Sequence, residues 1–275
     1  MIYSLFVLLL GACVGSFLNV CIFRLPLKKS IVFPGSACPS CSAPIKWYQN
    51  IPVLSYIFLR GKCASCSSRI SFRYPLVEAL TAGIFLILFY QQGFSFAFLK
   101  FAFFFCLLIV MSFIDIDYHA IPMYLSVLGV SCGIVFSFAE TCVLLYQRAV
   151  WDTLALPLTR SFIGLIVGFG FAYLFKFFGD AAVSTYLSWK NKESIDGETE
   201  SLGLGDIDFL GMVGVFFGWK AAVLTFFLAP FCAIIYTVAA LILKRSHVIP
   251  YLPYLSLAAL IVFLWGNDIL RLFYL

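Results

Sequence analysis

The chain has 275 residues, of which 63% are apolar, 19% aromatic and only 11% charged, with a mean hydropathy of +1.03. A soluble domain carries about 25% charged residues, so this chain lacks the charge to cover a water-facing surface, and it is far too apolar to be disordered. Its net charge of +5 has to be read as the topology of a polytopic membrane protein.

Each crossing of a bilayer core needs ~20 largely apolar residues whose backbone groups are satisfied internally. The apolar runs are continuous rather than alternating, which selects helices over a barrel. Eight spans are expected, at about 2–23, 75–91, 96–114, 121–138, 160–178, 206–218, 220–243 and 250–267. The first lacks a basic leader and a cleavage pattern, so it reads as a retained span. The sixth is short and contains Gly211, Gly214 and Gly218; it either crosses part of the bilayer or packs closely through its glycines.

The segment 24–74 carries Arg24, Lys28, Lys29, Lys46, Arg60, Lys62, Arg69 and Arg73 and no Asp or Glu. The positive-inside rule places it in the cytoplasm, and alternation then puts both termini outside and the loops 114–120, 179–205 and 244–249 inside. Thirteen of the 18 Lys and Arg fall on the inner side. Contact with anionic lipid heads suits the basic loop; nothing beyond it is basic enough for a nucleic-acid surface. The run from Lys190 to Ser201 is polar and expected to be mobile. No internal repeat is evident. The organisation read from this is a first transmembrane helix (1–23), a cytoplasmic cysteine-rich loop (24–74) and a helical membrane domain (75–275) with an acidic polar loop at 179–205.

Cys38-Pro-Ser-Cys41 and Cys63-Ala-Ser-Cys66 have the spacing of a four-thiolate zinc ribbon, each Cys-x-x-Cys turn presenting two thiolates to one ion. A cytoplasmic, reducing location disfavours disulfides. A loop of some fifty residues builds little core of its own, so Zn²⁺ at Cys38, Cys41, Cys63 and Cys66 would be a structural staple. The other six cysteines lie in or beside spans and read as small apolar packers.

Carboxylates at span boundaries are functional candidates, because charge is costly in lipid. Asp115-Ile116-Asp117 ends the third span shortly before Ile121-Pro122, where Pro122 suits the start of a helix. Gly203-Leu204-Gly205-Asp206-Ile207-Asp208 opens the sixth, its glycines allowing close backbone approach. Acids two residues apart on a helix point to nearly opposite sides, so at most one of each pair easily faces a common site. Two such carboxylates from different spans would share a proton, giving a general acid and a water-activating base; the same acids also suit a transport site.

These residues resemble the bacterial type IV prepilin peptidases, the GxGD intramembrane aspartic proteases. Gly15-Ser16-Phe17-Leu18-Asn19-Val20 with Arg24-Leu25-Pro26, the two-knuckle cysteine loop with Trp47 to Tyr56, Arg73-Tyr74-Pro75-Leu76-Val77-Glu78 and Gly203-x-Gly205-Asp206 follow in the family's order. The resemblance implies Asp115, seven residues before Pro122, and Asp206 as the catalytic pair, with Gly203, Gly205, Asp117, Asp208 and Pro122 in support. It implies cleavage of the basic leader from pilin-like or pseudopilin precursors at the cytoplasmic face of the bacterial inner membrane. It also implies N-methylation of the new terminus with S-adenosylmethionine, an activity associated with the N-terminal region. Met123 stands where a polar residue is usual, Asp208 where a Lys is common, and Pro250-Tyr251-Leu252-Pro253 replaces a Pro-Phe-Gly-Pro-like segment. No glycine-rich strand-to-helix signature for the methyl donor is visible in 24–74, so a peptidase without methylation is the narrower alternative. A transporter is the other, although the acids lie at span ends and no half-helix pair recurs.

Overall fold

A computed structural model of the chain describes residues 2–119, 121–147, 153–190, 201–242 and 250–273, with side chains described as far as Ile234 in the helix ending at Ile242. Among these residues the protein is all-helical, its only strand-like pairings being two isolated bridges. The helices are α1 (Ile2–Arg24), the single-turn α2 (Leu54–Phe58), α3 (Arg73–Gln92), α4 (Phe96–Tyr118), α5 (Met123–Tyr146), α6 (Pro157–Lys190), α7 (Leu204–Phe217), α8 (Trp219–Ile242) and α9 (Leu252–Phe273). Each expected span therefore has its helix. Among the described residues six, namely α1, α3, α4, α5, α6 and α9, are long and apolar enough to cross a membrane, and the part of α8 with described side chains, Trp219–Ile234, is a shorter apolar helix. The short sixth span is α7, at 14 residues.

Helices α5 and α9 run past their expected ends, to Tyr146 and Phe273, and two further boundaries that differ bear on the site. Helix α4 runs on to Tyr118, so Asp115 and Asp117 are helical. Helix α6 runs on to Lys190 over 34 residues, about 51 Å at 1.5 Å per residue against a core of roughly 30 Å. Its last turns thus exceed a crossing, and they are supported by a Lys176–Asp180 ion pair one turn apart (3.2 Å). Most of the polar run 190–201 lies outside the described residues.

The chain forms two compact units, Met1–Ile114 and Asp115–Leu275. In the first, α1 lies closely along α3. A Cβ at Gly11 would come within 2.8 Å of the Ala82 Cα, and one at Gly15 within 2.7 Å of the Glu78 Cα. Two glycines four apart thus let the backbones touch, which is how helices gain dispersion contact in lipid. Asn19 closes the same seam, its Nδ2 donating to the Gly15 and Tyr74 carbonyls.

In the second unit α7 is central, packing on α5, α6, α8 and α9. Ile207 and every residue from Phe209 to Phe216 are buried, as expected of a helix apolar all round. Gly164 of α6 and Gly214 of α7 meet backbone to backbone, with room for no Cβ. The Ser137 and Ser161 hydroxyls bond each other (2.6 Å), and Ser161 donates to the Val215 carbonyl (2.7 Å), tying α5, α6 and α7 together.

Candidate active site and cysteine cluster

Helix α7 starts where Gly203, in extended conformation, caps it. Asp206 is the third residue of the helix, and its carboxylate folds back to accept the Gly203 N–H, the reciprocal bond of a capping box. A Cβ on Gly203 would stand 3.2 Å from the Asp206 Oδ2. Gly205 has a different reason: a Cβ there would meet the Ile121 Cδ1 at 2.7 Å. The Gly-x-Gly-Asp turn and the Ile121-Pro122 turn are therefore packed on each other, and Pro122 caps α5 rather than entering it.

Asp115 lies in the last turn of α4, 8% exposed. Its Oδ2 accepts the backbone N–H of Leu252, the first residue of α9, at 3.2 Å. The Asp115 and Asp206 carboxylates are close enough to interact electrostatically, and Tyr251 lies beside Asp206. Of the remaining acids, Asp117 is exposed and Asp208 half-buried. The structure thus brings Asp115 and Asp206 together from two helices and turns Asp117 elsewhere. His119, at φ 49°, closes α4 through its N–H to the Asp115 carbonyl.

The stretch leading into Gly203 is tied to α6. Asp180 Oδ1 accepts both the N–H (2.7 Å) and the hydroxyl (2.8 Å) of Ser201, while Lys176 Nζ donates to the Leu202 carbonyl (2.9 Å). Neither this tether nor the Leu252 donor is foreseen in the sequence reading; the only hint of the latter was the Pro250–Pro253 segment.

In the first unit the sulfurs of Cys38, Cys41, Cys63 and Cys66 lie within 4.8 Å of one another. Four thiolates on a tetrahedral ion with ~2.3 Å bonds stand about 3.8 Å apart, and Cys38 and Cys66 are at 3.9 Å, so the donor set fits such an ion. The two knuckles are copies of one turn. Cys38 N–H donates to Ala43 and Ser42 N–H to Cys38; Cys63 N–H donates to Ser68 and Ser67 N–H to Cys63. Both turn on a serine at φ 58°, and both close on a bridge, Ala37 with Pro44 and Lys62 with Arg69. The sequence reading missed this local repeat although it is legible there, since Cys-x-Ser-Cys-Ser recurs and Ile45 and Ile70 occupy equivalent outer positions.

The thiols are already polarised. The backbone N–H groups of Cys41 and Ser40, then the Ser68 hydroxyl, pull Cys38 down to about 6. The hydroxyl and N–H of Ser68 lower Cys66. At Cys41 the Ala43 N–H pulls downward, but the Cys66 sulfur, burial and the other two sulfurs outweigh it and push the thiol up to about 11.

Between the C-terminal end of α1, the knuckles and the start of α3 lies a cavity of about 880 Å³. Glu78 lines it, 8% exposed, accepting the Val53 N–H at 2.7 Å and the Ser16 hydroxyl.

A model of the bacterial peptidase A24 N-terminal domain matches residues 9–92, and one of the type IV leader peptidase family matches residues 102–238. Relatives named prepilin leader peptidase/N-methyltransferase include that of Pseudomonas aeruginosa, 33% identical over 304 residues covering 98% of this chain and 92% of the relative. That of Aeromonas salmonicida is 29% identical over 298 residues, covering 98% and 93%. That of Myxococcus xanthus is 36% identical over 220 residues, covering 80% of this chain, which spans only 58% of that relative. No solved structure matches the chain.

Proposed function

Since the chain belongs to the type IV leader peptidase family, we propose that it is an aspartic endopeptidase that removes the basic leader from pilin-like or pseudopilin precursors. The observation that carries this reading is that Asp115 and Asp206, from α4 and α7, are near enough for the charge of Asp115 to act on Asp206. Two carboxylates that repel each other in this way favour one shared proton. Each accepts one backbone N–H at the start of a helix, Asp115 from Leu252 and Asp206 from Gly203. One of the two activates water as the general base, and the other donates its proton to the leaving amine as the water attacks the scissile carbonyl. Gly205 and Pro122 hold the two turns together; Gly203 leaves room for the Asp206 carboxylate; Asp117 and Asp208 are supporting charges.

The enzyme works at the cytoplasmic face of a bacterial inner membrane, a reading supported by the acid-free basic segment 24–74. The first helix and the cysteine loop, 1–23 and 24–74, serve the second activity, and 75–275 carries the peptidase. Zn²⁺ held by Cys38, Cys41, Cys63 and Cys66 staples the loop, a role supported by the fit of four sulfurs to one tetrahedral ion. The second activity is N-methylation of the new terminus, for which bound S-adenosylmethionine supplies an electrophilic methyl group. Converting Asp115 or Asp206 singly to Asn tests the peptidase. Cleavage of a pilin-like precursor in membranes drops about 10²-fold or more for each, and a normal rate in either variant overturns the pair.

A further inference from the structure

Residues 1–114 contain nine Lys and Arg but a single carboxylate, Glu78. That one acid is buried five residues into a helix apolar enough to span a membrane, and it lines the 880 Å³ cavity. A lone ionisable group at such a place marks a site by default. The cavity falls in the usual range for small-molecule sites, about 300–1,000 Å³, and is far larger than an ion needs. Neither Asp115 nor Asp206 lines it.

The charges and rings on its walls narrow the ligand. Glu78 favours a cation, in a segment whose other charges all repel one. Lys29 and Arg69 line the same cavity and favour a carboxylate, and Phe33, Tyr56 and Tyr74 also line it, bringing aromatic side chains of the kind that stack on a purine. A ligand with a fixed positive centre, an amino-acid carboxylate and a purine matches all three. We propose that this cavity is where the chain binds S-adenosylmethionine, with Glu78 as the counter-charge to its sulfonium and ammonium groups. The assignment rests on the methyltransferase reading above and adds to it a location and a residue.

The test uses the full-length protein in detergent, with S-adenosylmethionine as titrant in calorimetry. Glu78→Gln keeps the shape and the acceptor for the Val53 N–H but removes the charge, and binding weakens about tenfold or more. Wild-type affinity in Glu78→Gln overturns the role of Glu78. Because Glu78 also holds the loop through Val53, a second measurement on unmutated protein stands beside it. Photo-crosslinking with an azidoadenosyl analogue of the donor labels peptides within residues 16–78, and labelling confined to 115–275 overturns the cavity assignment. Methylation of a cleaved precursor is scored in the same preparation. A wild-type protein that neither methylates nor binds the donor loses the methyltransferase reading and this inference together. One that methylates, but whose label lies elsewhere, loses only the inference.

Discussion

Gly205→Ala is the sharpest probe of how the two acidic turns are held together. The added Cβ would stand 2.7 Å from the Ile121 Cδ1, with the Ile121 Cβ at 3.3 Å and Cγ1 at 3.4 Å. Only the first contact is prohibitive, and it involves the tip of a flexible side chain. Overpacking of this kind costs about 1–3 kcal/mol. Gly205 immediately precedes Asp206, so that cost is expected to displace the carboxylate and slow cleavage by about 5- to 150-fold, at 1.36 kcal/mol per decade. Ile121→Val removes the offending Cδ1 and leaves the rest of the side chain. On its own it is mild, about 0.5–1.5 kcal/mol, and combined with Gly205→Ala it restores most of the lost rate. The assay is the initial rate of precursor cleavage in membranes for the four members of the cycle. If the double variant is as slow as Gly205→Ala, the Ile121 contact is not the reason for glycine at 205, and the packing argument fails.

Two further outcomes are expected. In metal-depleted protein at pH 7, Cys66, whose thiol is lowered, alkylates faster than Cys41, held near 11, although both are exposed. The sign follows from the thiolate being the nucleophile, so the lower group reacts first. Peptide mass spectrometry reads the two rates, and equal rates refute the arrangement of N–H donors; about one equivalent of zinc before depletion, and protection of both thiols by it, completes the test. Asp180→Ala releases the N–H and hydroxyl of Ser201. It lowers the cleavage rate without the near-complete loss expected of Asp206→Asn, and an unchanged rate shows that this tether does not position the Gly203 turn.

What the sequence shows of this molecule follows from how strongly lipid constrains it. Continuous apolar runs had to become helices, and eight of them did. Paired cysteines three apart announce a shared ion because only one turn geometry aims both sulfurs at one point. The acids at span ends stand out because charge is scarce. What stays hidden is everything carried by the backbone or by contact across the chain. The donor to Asp115 is the N–H of Leu252, and a main-chain N–H has no signature in residue type. The need for glycine at 205 depends on Ile121, far away in sequence. The short α7 reads as a doubtful crossing by length, while its central place comes from burial on every side. The single acid of the first unit is plain to see in the sequence, but only the cavity beside it gives it a purpose.

The distribution of charge between the two units supports separate chemistries on one chain. Of the 13 acids, 12 lie in residues 115–275, against nine Lys and Arg there; residues 1–114 hold nine Lys and Arg and Glu78 alone. On the proposed reading, a basic leader is attracted by the second unit, whose formal balance is negative and which holds Asp115 and Asp206. The first unit repels the same leader. That repulsion also opposes binding of a cationic methyl donor, unless one carboxylate is buried where the donor's charge comes to rest. A positive field that favours four thiolates around one ion therefore makes Glu78 necessary. Neutralising Lys28 and Lys46, basic residues of the first unit that do not line the cavity, should strengthen donor binding in calorimetry by weakening this longer-range repulsion, and unchanged binding refutes the argument.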